Sequence, residues 1–279
     1  MSDVIKNGTP LVMGILNVTP DSFSDGGLFQ NPDAALKQAA LMVKEGADII
    51  DVGGESSRPG SVTISAEEEA ERVVPVIEQI AKRFDITVSV DTVKPLVAEE
   101  AIAAGASMLN DVSMLRDPLI AGVAAQTDVQ FVIMHSRGNP GNMQQMTKYD
   151  NGVVSDVLGE LLGAVEQAVE QGVKKQNIWL DPGIGFAKTA MQNIEILSSI
   201  EKFAETGFPV LTGPSKKSFI GVLTGADVDH RLGGTAAAVT ASILGGAKAV
   251  RVHDVAIIKQ VVQIADALFS AGRGKKYYG

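Results

Sequence analysis

Leu11-Val12-Met13-Gly14-Ile15-Leu16-Asn17-Val18-Thr19-Pro20-Asp21-Ser22-Phe23-Ser24-Asp25-Gly26-Gly27 is an apolar run that stops at a side-chain amide and opens into a loop. An apolar run of that length reads as a buried strand. The loop sets Phe23 between two carboxylates, a placement that a solvated loop does not need, so it is expected to meet a ligand. The pattern recurs along the chain. Asp48–Gly53, Thr87–Thr92, Met108–Val112, Gln130–His135, Ile178–Gly183, Val210–Gly213 and Ala249–His253 are further short apolar runs with polar ends. Helical patterns lie between them. Ser65 with Glu68 forms a capping-box signature, followed by Val73, Ile77, Ile80 and Phe84 on one face. Pro75 is expected to kink that helix or to mark a later start. Leu158, Leu161, Leu162, Val165 and Val169 make a second stripe, and Ile257, Val261, Ile264 and Leu268 a third.

Eight such units, with no linker or composition break between them, predict a single (β/α)8 barrel spanning residues 1–279 as one domain. A doubly wound sheet is the alternative and would need a different strand order. No cysteine is present, which excludes disulfides, thiolate metal sites and a thiol nucleophile. The net charge of −9 argues against nucleic acid as a partner. Residues 1–7 show neither an apolar signal core nor an Arg-rich amphipathic pattern, so a cytoplasmic protein is expected. The longest uncharged stretch, Leu232 to Ala247, is shorter than the roughly 20 residues that span a bilayer, so no membrane partner is expected. Its Gly/Ala-rich part, Thr235 to Leu244, is expected to pack against a second subunit in a homodimer.

In a barrel the C-terminal ends of all strands open onto one face, where the active site is expected. Those ends offer Asn17, Asp51, Asp91, Asn110 with Asp111, His135, Asp181, Ser215-Lys216-Lys217, Arg251 and His253. Each alone also reads as a cap or a satisfied polar group. Asp181 and Asn110 suit a flat ligand edge, since a carboxylate facing two coplanar N–H groups makes a bidentate pair. An aminopyrimidinone has such an edge. Lys217 could donate from the other side, or be a solvated lysine at a helix start, a role that fits Lys216 better. Arg251 could stack on the ring. Arg251, His253, Asn17 and Arg58 suit a phosphate, although His253 could equally be structural. The loop Gly53-Gly54-Glu55-Ser56-Ser57-Arg58-Pro59-Gly60 is no P-loop, because the lysine is absent. Asn17 is a hard oxygen ligand compatible with Mg2+ held mainly by substrate phosphates.

These motifs together resemble the dihydropteroate synthase family. Leu16 to Gly27 resembles its first signature and Asp51 to Gly60 its second. Val90-Asp91-Thr92, Asn110-Asp111-Val112, Met134-His135, Asp181-Pro182-Gly183-Ile184-Gly185-Phe186, Lys217-Ser218-Phe219-Ile220-Gly221 and Arg251-Val252-His253-Asp254-Val255 are similar to later blocks, in order. The resemblance implies a pterin-binding TIM barrel and a folate-biosynthesis transferase. It would condense 6-hydroxymethyl-7,8-dihydropterin diphosphate with 4-aminobenzoate to 7,8-dihydropteroate and diphosphate, and sulfonamides would mimic the aminobenzoate.

By the same resemblance Asp91, Asn110, Asp181 and Lys217 would hold the pterin, with Arg251 stacked on it and Met134 and Phe186 lining the pocket. Asn17 would meet Mg2+. Arg58, Arg251 and His253 would take the diphosphate. Phe23, Ser57, Arg58, Pro59 and Ser218 would surround the aminobenzoate. Asp25 would face a pterin cation formed as diphosphate leaves, or merely cap its loop, and Lys217, Arg251 and His253 would complete the catalytic set. Loops 18–31 and 54–65 would close over the site and exclude water. Lys216, where the family often has arginine, and Ser136, where many members have methionine, depart from the pattern. A pterin-barrel methyltransferase would share Asp91, Asn110 and Asp181 but needs no diphosphate site. A Schiff-base aldolase using Lys217 and an inactive pterin-binding paralogue are the other readings.

Overall fold

The computed structural model describes residues 8–19, 32–56, 61 and 63–272. Its strands are β1 (Leu11–Asn17), β2 (Ile49–Gly53), β3 (Thr87–Asp91), β4 (Met108–Asp111), β5 (Gln130–Met134), β6 (Ile178–Asp181), β7 (Leu211–Thr212) and β8 (Ala249–Val252). All pairings are parallel in the order β6-β5-β4-β3-β2-β1-β8-β7, and a Leu180–Val210 bridge joins the two ends. That sequential, closed order is a (β/α)8 barrel and excludes the doubly wound alternative. The strands are one or two residues shorter than expected. The cause is visible: single backbone bonds such as Val18 N–H to Gly53 O (2.8 Å) and His135 N–H to Asp181 O (2.8 Å) continue just past the ladder.

The helices are α1 (Pro32–Lys44), α2 (Ala66–Arg83), α3 (Pro95–Ala103), α4 (Leu119–Thr127), α5 (Val153–Glu170), α6 (Ala190–Leu197), α7 (Ile200–Ala204), α8 (Ser218–Thr224), α9 (Leu232–Leu244) and α10 (Val255–Gly272). Ser65 caps α2, its side chain accepting from Glu68 N–H at 3.1 Å. The capping box is only half made, since the Glu68 carboxylate turns to Arg72 instead. Pro75 sits inside α2, which starts at the cap and not later. Val73, Ile77 and Ile80 are buried as expected.

Two helical stripes differ from expectation. The buried face of α5 is Val153, Val157, Leu161, Ala164, Val165 and Ala168, so only Leu161 and Val165 of the expected set are buried. On α10, Ile257, Ile264 and Leu268 are exposed, and Val255, Ile258, Val262 and Ala265 face inward. α10 is by length and composition apolar enough to cross a membrane, yet that inner face packs on β1 and α9.

Two cores result. Strand residues facing outward join the helices in one large cluster. Those facing inward, Met13, Ile49, Met108, Val132, Trp179, Leu211 and Ala249, plug the barrel. Side chains alternate along a strand, so the residue two further on points into the same barrel one layer higher. The step carries Ile49 to Asp51, Met108 to Asn110, Val132 to Met134, Trp179 to Asp181 and Ala249 to Arg251. A single strand period turns an apolar plug into a polar floor.

Candidate active site

Above the plug lies a cavity lined by Asn110, Val112, Met134, Asp181, Ile184, Phe186, Gly213, Lys217 and Arg251. Six of these were expected in the pterin site: Asn110, Met134, Asp181, Phe186, Lys217 and Arg251. Asp91 enters through Arg251, whose Nη2 donates to Asp91 Oδ2 and whose Nε donates to Asp51 Oδ2, both at 2.6 Å. Asn110 Nδ2 also donates to Asp51 Oδ2, at 3.1 Å. Asp51 thus fixes both a guanidinium and an amide, a role that the sequence reading did not give it. The signal was available, because Asp51 shares the inward parity of Ile49.

The floor is short of partners by design of its geometry. Asn110 Oδ1 is buried without a hydrogen bond among the described residues. Asp181 Oδ1 accepts from Gly183 N–H at 2.7 Å, while its Oδ2 has no hydrogen-bond partner there. Two unmet acceptors in one cavity call for a ligand with an N–H edge. Lys217 Nζ stands 4.4 Å from the centroid of the Phe186 ring, a cation–π contact.

Burial dominates the electrostatics. It pushes Asp181 up to about 6, against the pull of Gly183 N–H, Lys217, Lys188 and Arg251. It also raises Asp91 well above the usual carboxylate range, opposed by Arg251 and Lys217 and reinforced by Asp51 and Glu69. Burial would lower Arg251, but Asp51 and Asp91 outweigh it and hold the guanidinium charged. His253 is pushed down to about 4 by burial, then by Arg251, Lys216 and Lys217 against Asp254, so its imidazole is neutral in the free protein. Its Nδ1 lies 3.0 Å from Ser215 Oγ.

Several expected members lie elsewhere. His135 does not join the cavity. It has the opposite parity to Met134, is fully buried, and meets Glu160 and Lys188. Asp111 is structural, its carboxylate accepting from Ser113 and Leu115 N–H. Lys216 is not a merely solvated lysine: its φ is +55°, and it pairs with Asp254. Asn17 and His253 sit at the mouths of the adjacent strands β1 and β8, outside the cavity lining, and Ser218 is exposed at the start of α8. Phe23, Asp25, Ser57, Arg58 and Pro59, with most of the two expected closing loops, lie outside the described residues.

The loop after β6 shapes one wall. Gly183 has φ +68°, and a Cβ there would stand 1.9 Å from the His135 carbonyl oxygen. Gly183→Ala should therefore cost at least about 2–4 kcal/mol of stability, read by denaturant unfolding. A loss under about 1 kcal/mol would mean that the turn relaxes freely.

The chain matches the pterin binding enzyme family over residues 13–253. It is 48% identical to the dihydropteroate synthase of Synechocystis sp. over 92% of this chain and 90% of that protein. A crystal structure of dihydropteroate synthase from Clostridium difficile, determined in the presence of pteroic acid, superposes with a TM-score of 0.89 at 43% identity, covering 96% of this chain and 99% of that one. One from Yersinia pestis, in complex with a sulfonamide drug, gives a TM-score of 0.89 at 40% identity over 96% of each chain. A polar floor suited to an N–H edge, on a barrel of this order and at this level of identity, leaves one assignment: the chain belongs to the pterin-binding enzymes, among the dihydropteroate synthases.

Proposed function

We infer that the chain condenses 6-hydroxymethyl-7,8-dihydropterin diphosphate with 4-aminobenzoate, giving 7,8-dihydropteroate and diphosphate. The observation that carries the residue-level reading is the pair of unmet acceptors, Asn110 Oδ1 and Asp181 Oδ2, in one cavity with Lys217. They match the amino and ring N–H donors of an aminopyrimidinone, and Lys217 matches an acceptor beyond them. Asp51 and Asp91 hold Arg251 by two of its nitrogens, which fixes the plane of the guanidinium for stacking on the pterin. Nη1 has no partner among the described residues and remains for the diphosphate.

Asn17 fits Mg2+ as a single hard ligand. Its side chain makes no hydrogen bond among the described residues, and no cluster of His, Asp or Glu is arranged there to hold a metal by itself. That suits an ion carried mainly by substrate phosphates. When bound, Mg2+ would neutralise charge building on the departing diphosphate. Arg251 would share that task, and the diphosphate would draw a proton to the otherwise neutral His253. Aminobenzoate is a weak nucleophile, so departure of diphosphate first, leaving a resonance-stabilised pterin cation, asks little acid–base chemistry of the protein. The aminobenzoate subsite of Phe23, Ser57, Arg58, Pro59 and Ser218, and the Asp25 carboxylate facing the cation, complete the proposal. A methyltransferase has no use for Asn17, Arg251 and His253 side by side on β1 and β8.

The test is diphosphate release that depends on 4-aminobenzoate. Absence of release with both substrates and Mg2+ would sink the reading. The proposal keeps one pterin-binding domain, a cytoplasmic setting and a homodimer. For the last, α10 exposes Ile257, Ile264 and Leu268 and the neighbouring α9 exposes Ala237, Ala241 and Leu244, apolar surface suited to a second copy. Light scattering should report a dimer, and a monomer at working concentration would remove it.

A further inference from the structure

The reaction as derived does not use Lys188, yet it is the one lysine buried among the described residues, at 3% exposure. Its Nζ lies 2.9 Å from His135 Nδ1, 3.0 Å from Gly183 O and 3.0 Å from Phe186 O. Three acceptors absorb the three protons of an ammonium. The alternative is a neutral amine taking a proton from His135 Nδ1–H. That would leave a bare Nε2 facing the Glu160 carboxylate at 3.1 Å, acceptor against acceptor. The geometry therefore favours the ammonium form of Lys188, with His135 carrying its proton on Nε2, aimed at Glu160.

The contacts close into a ring. Glu160 is held by Arg137, whose guanidinium sits 4.0 Å from the centroid of the Tyr149 ring. Tyr149 donates its hydroxyl proton to Ala187 O at 2.9 Å, beside Lys188 itself. The ring passes through the loop of residues 183–188, where Gly183, Gly185 and Ala187 have φ of +68°, +86° and +49°. This alternating backbone turns the carbonyls of Gly183 and Phe186 onto Lys188. On its other side the loop presents Ile184 and Phe186 to the cavity and Gly183 N–H to Asp181.

We propose that Lys188 is a positioning residue for the pterin: it latches the 183–188 loop and supplies positive charge behind Asp181, where the pterin's donor edge needs a carboxylate. This rests on the pterin reading of the cavity. The charged and titratable groups around the pair are Lys217 and Arg251 on the cavity side and His135, Glu160, Arg137 and Tyr149 behind. Burial pushes Lys188 down to about 7, with Asp181 and Glu160 holding it up against Arg137 and Lys217. Lys188 in turn is among the groups that restrain Asp181.

The experiment is calorimetric binding of 6-hydroxymethylpterin between about pH 5 and 9, for wild type and Lys188→Met, with KM for 4-aminobenzoate measured alongside. We expect at least a tenfold loss of affinity at neutral pH, an acid-side midpoint raised by about one pH unit, and KM for 4-aminobenzoate within twofold. A weaker affinity with an unmoved midpoint would reduce Lys188 to loop packing and overturn the proposal, as would no change at all. Glu160→Gln, on the partly exposed side of the ring, guards against a misfolded variant. It should lower the basic-side midpoint, because Lys188 loses the carboxylate that favours its charge, and an unchanged basic limb would also overturn the proposal. Wild type failing to bind the pterin would refute the site reading instead.

Discussion

Asp181→Asn should abolish pterin binding while leaving the fold as stable as wild type or more so. The two effects separate because they depend on different oxygens. Asp181 has two acceptors, one used by Gly183 N–H and one facing the cavity. Asparagine has a single acceptor. If it keeps the Gly183 bond, it turns an NH2 group toward the donor edge of the pterin. If it serves the pterin, it leaves Gly183 N–H facing a donor. Losing the charged acceptor and setting a donor against a donor costs about 3–5 kcal/mol, or roughly two to four orders of magnitude in Kd.

Stability runs the other way. The folded pKa of Asp181 is raised to about 6, above its ordinary value, so folding favours the protonated carboxyl. The stability tied to that group is full below about pH 4 and is lost as pH rises through about 6. Above pH 6 the free protein therefore holds a buried charge at a net cost, and a neutral amide removes it. Calorimetric titration and urea unfolding at pH 7.5 check both halves. Near-normal affinity would take Asp181 out of the pterin site. A large loss of stability would mean that Lys188 and Lys217 depend on its charge more than burial opposes it. The same titration predicts that wild-type affinity for the pterin weakens as pH falls below about 6.

What the sequence disclosed depended on whether the physics was local. Each strand was legible because its apolar run and its polar terminus are contiguous, and the polar floor because a two-residue step from core to floor recurs on five strands. Asp51 follows the same step and could have been given its role. His135 ends a strand like the floor residues, but its parity sends it outward beside an inward Met134. The α10 stripe was misread because the helix is apolar on two faces, and the bulkier Ile257, Ile264 and Leu268 are the ones left outside. Lys188 had no local signal. Before a helix start it reads as a solvated lysine, and its role exists only once left-handed turns at 183, 185 and 187 fold two carbonyls back onto it.

Arg251→Met should cost about 3–5 kcal/mol of stability, with a pH dependence that identifies the cause. Removing one partner of a buried ion pair leaves the other charge uncompensated. Here two carboxylates are stranded together. Asp51 is fully buried and among the described residues retains only Asn110 Nδ2 as a side-chain donor, and Asp91 loses its 2.6 Å contact. Asp91 is already raised in the folded protein, so the stability tied to it is full at low pH and lost as pH rises through its folded value. Without Arg251, which opposes that rise, the folded value climbs further and the penalty extends over a wider span of pH. The gap between wild type and variant should therefore be larger at pH 8 than at pH 5 in urea unfolding. A gap independent of pH would show that the methionine merely packs badly. Adding Asp51→Asn to Arg251→Met should restore part of the loss, since one stranded charge is removed, and the coupling energy of the double-mutant cycle reports their interaction. Activity should not return with stability, because the guanidinium proposed to face both pterin and diphosphate is still missing. Recovery of turnover in the stabilised double variant would contradict the role assigned to Arg251.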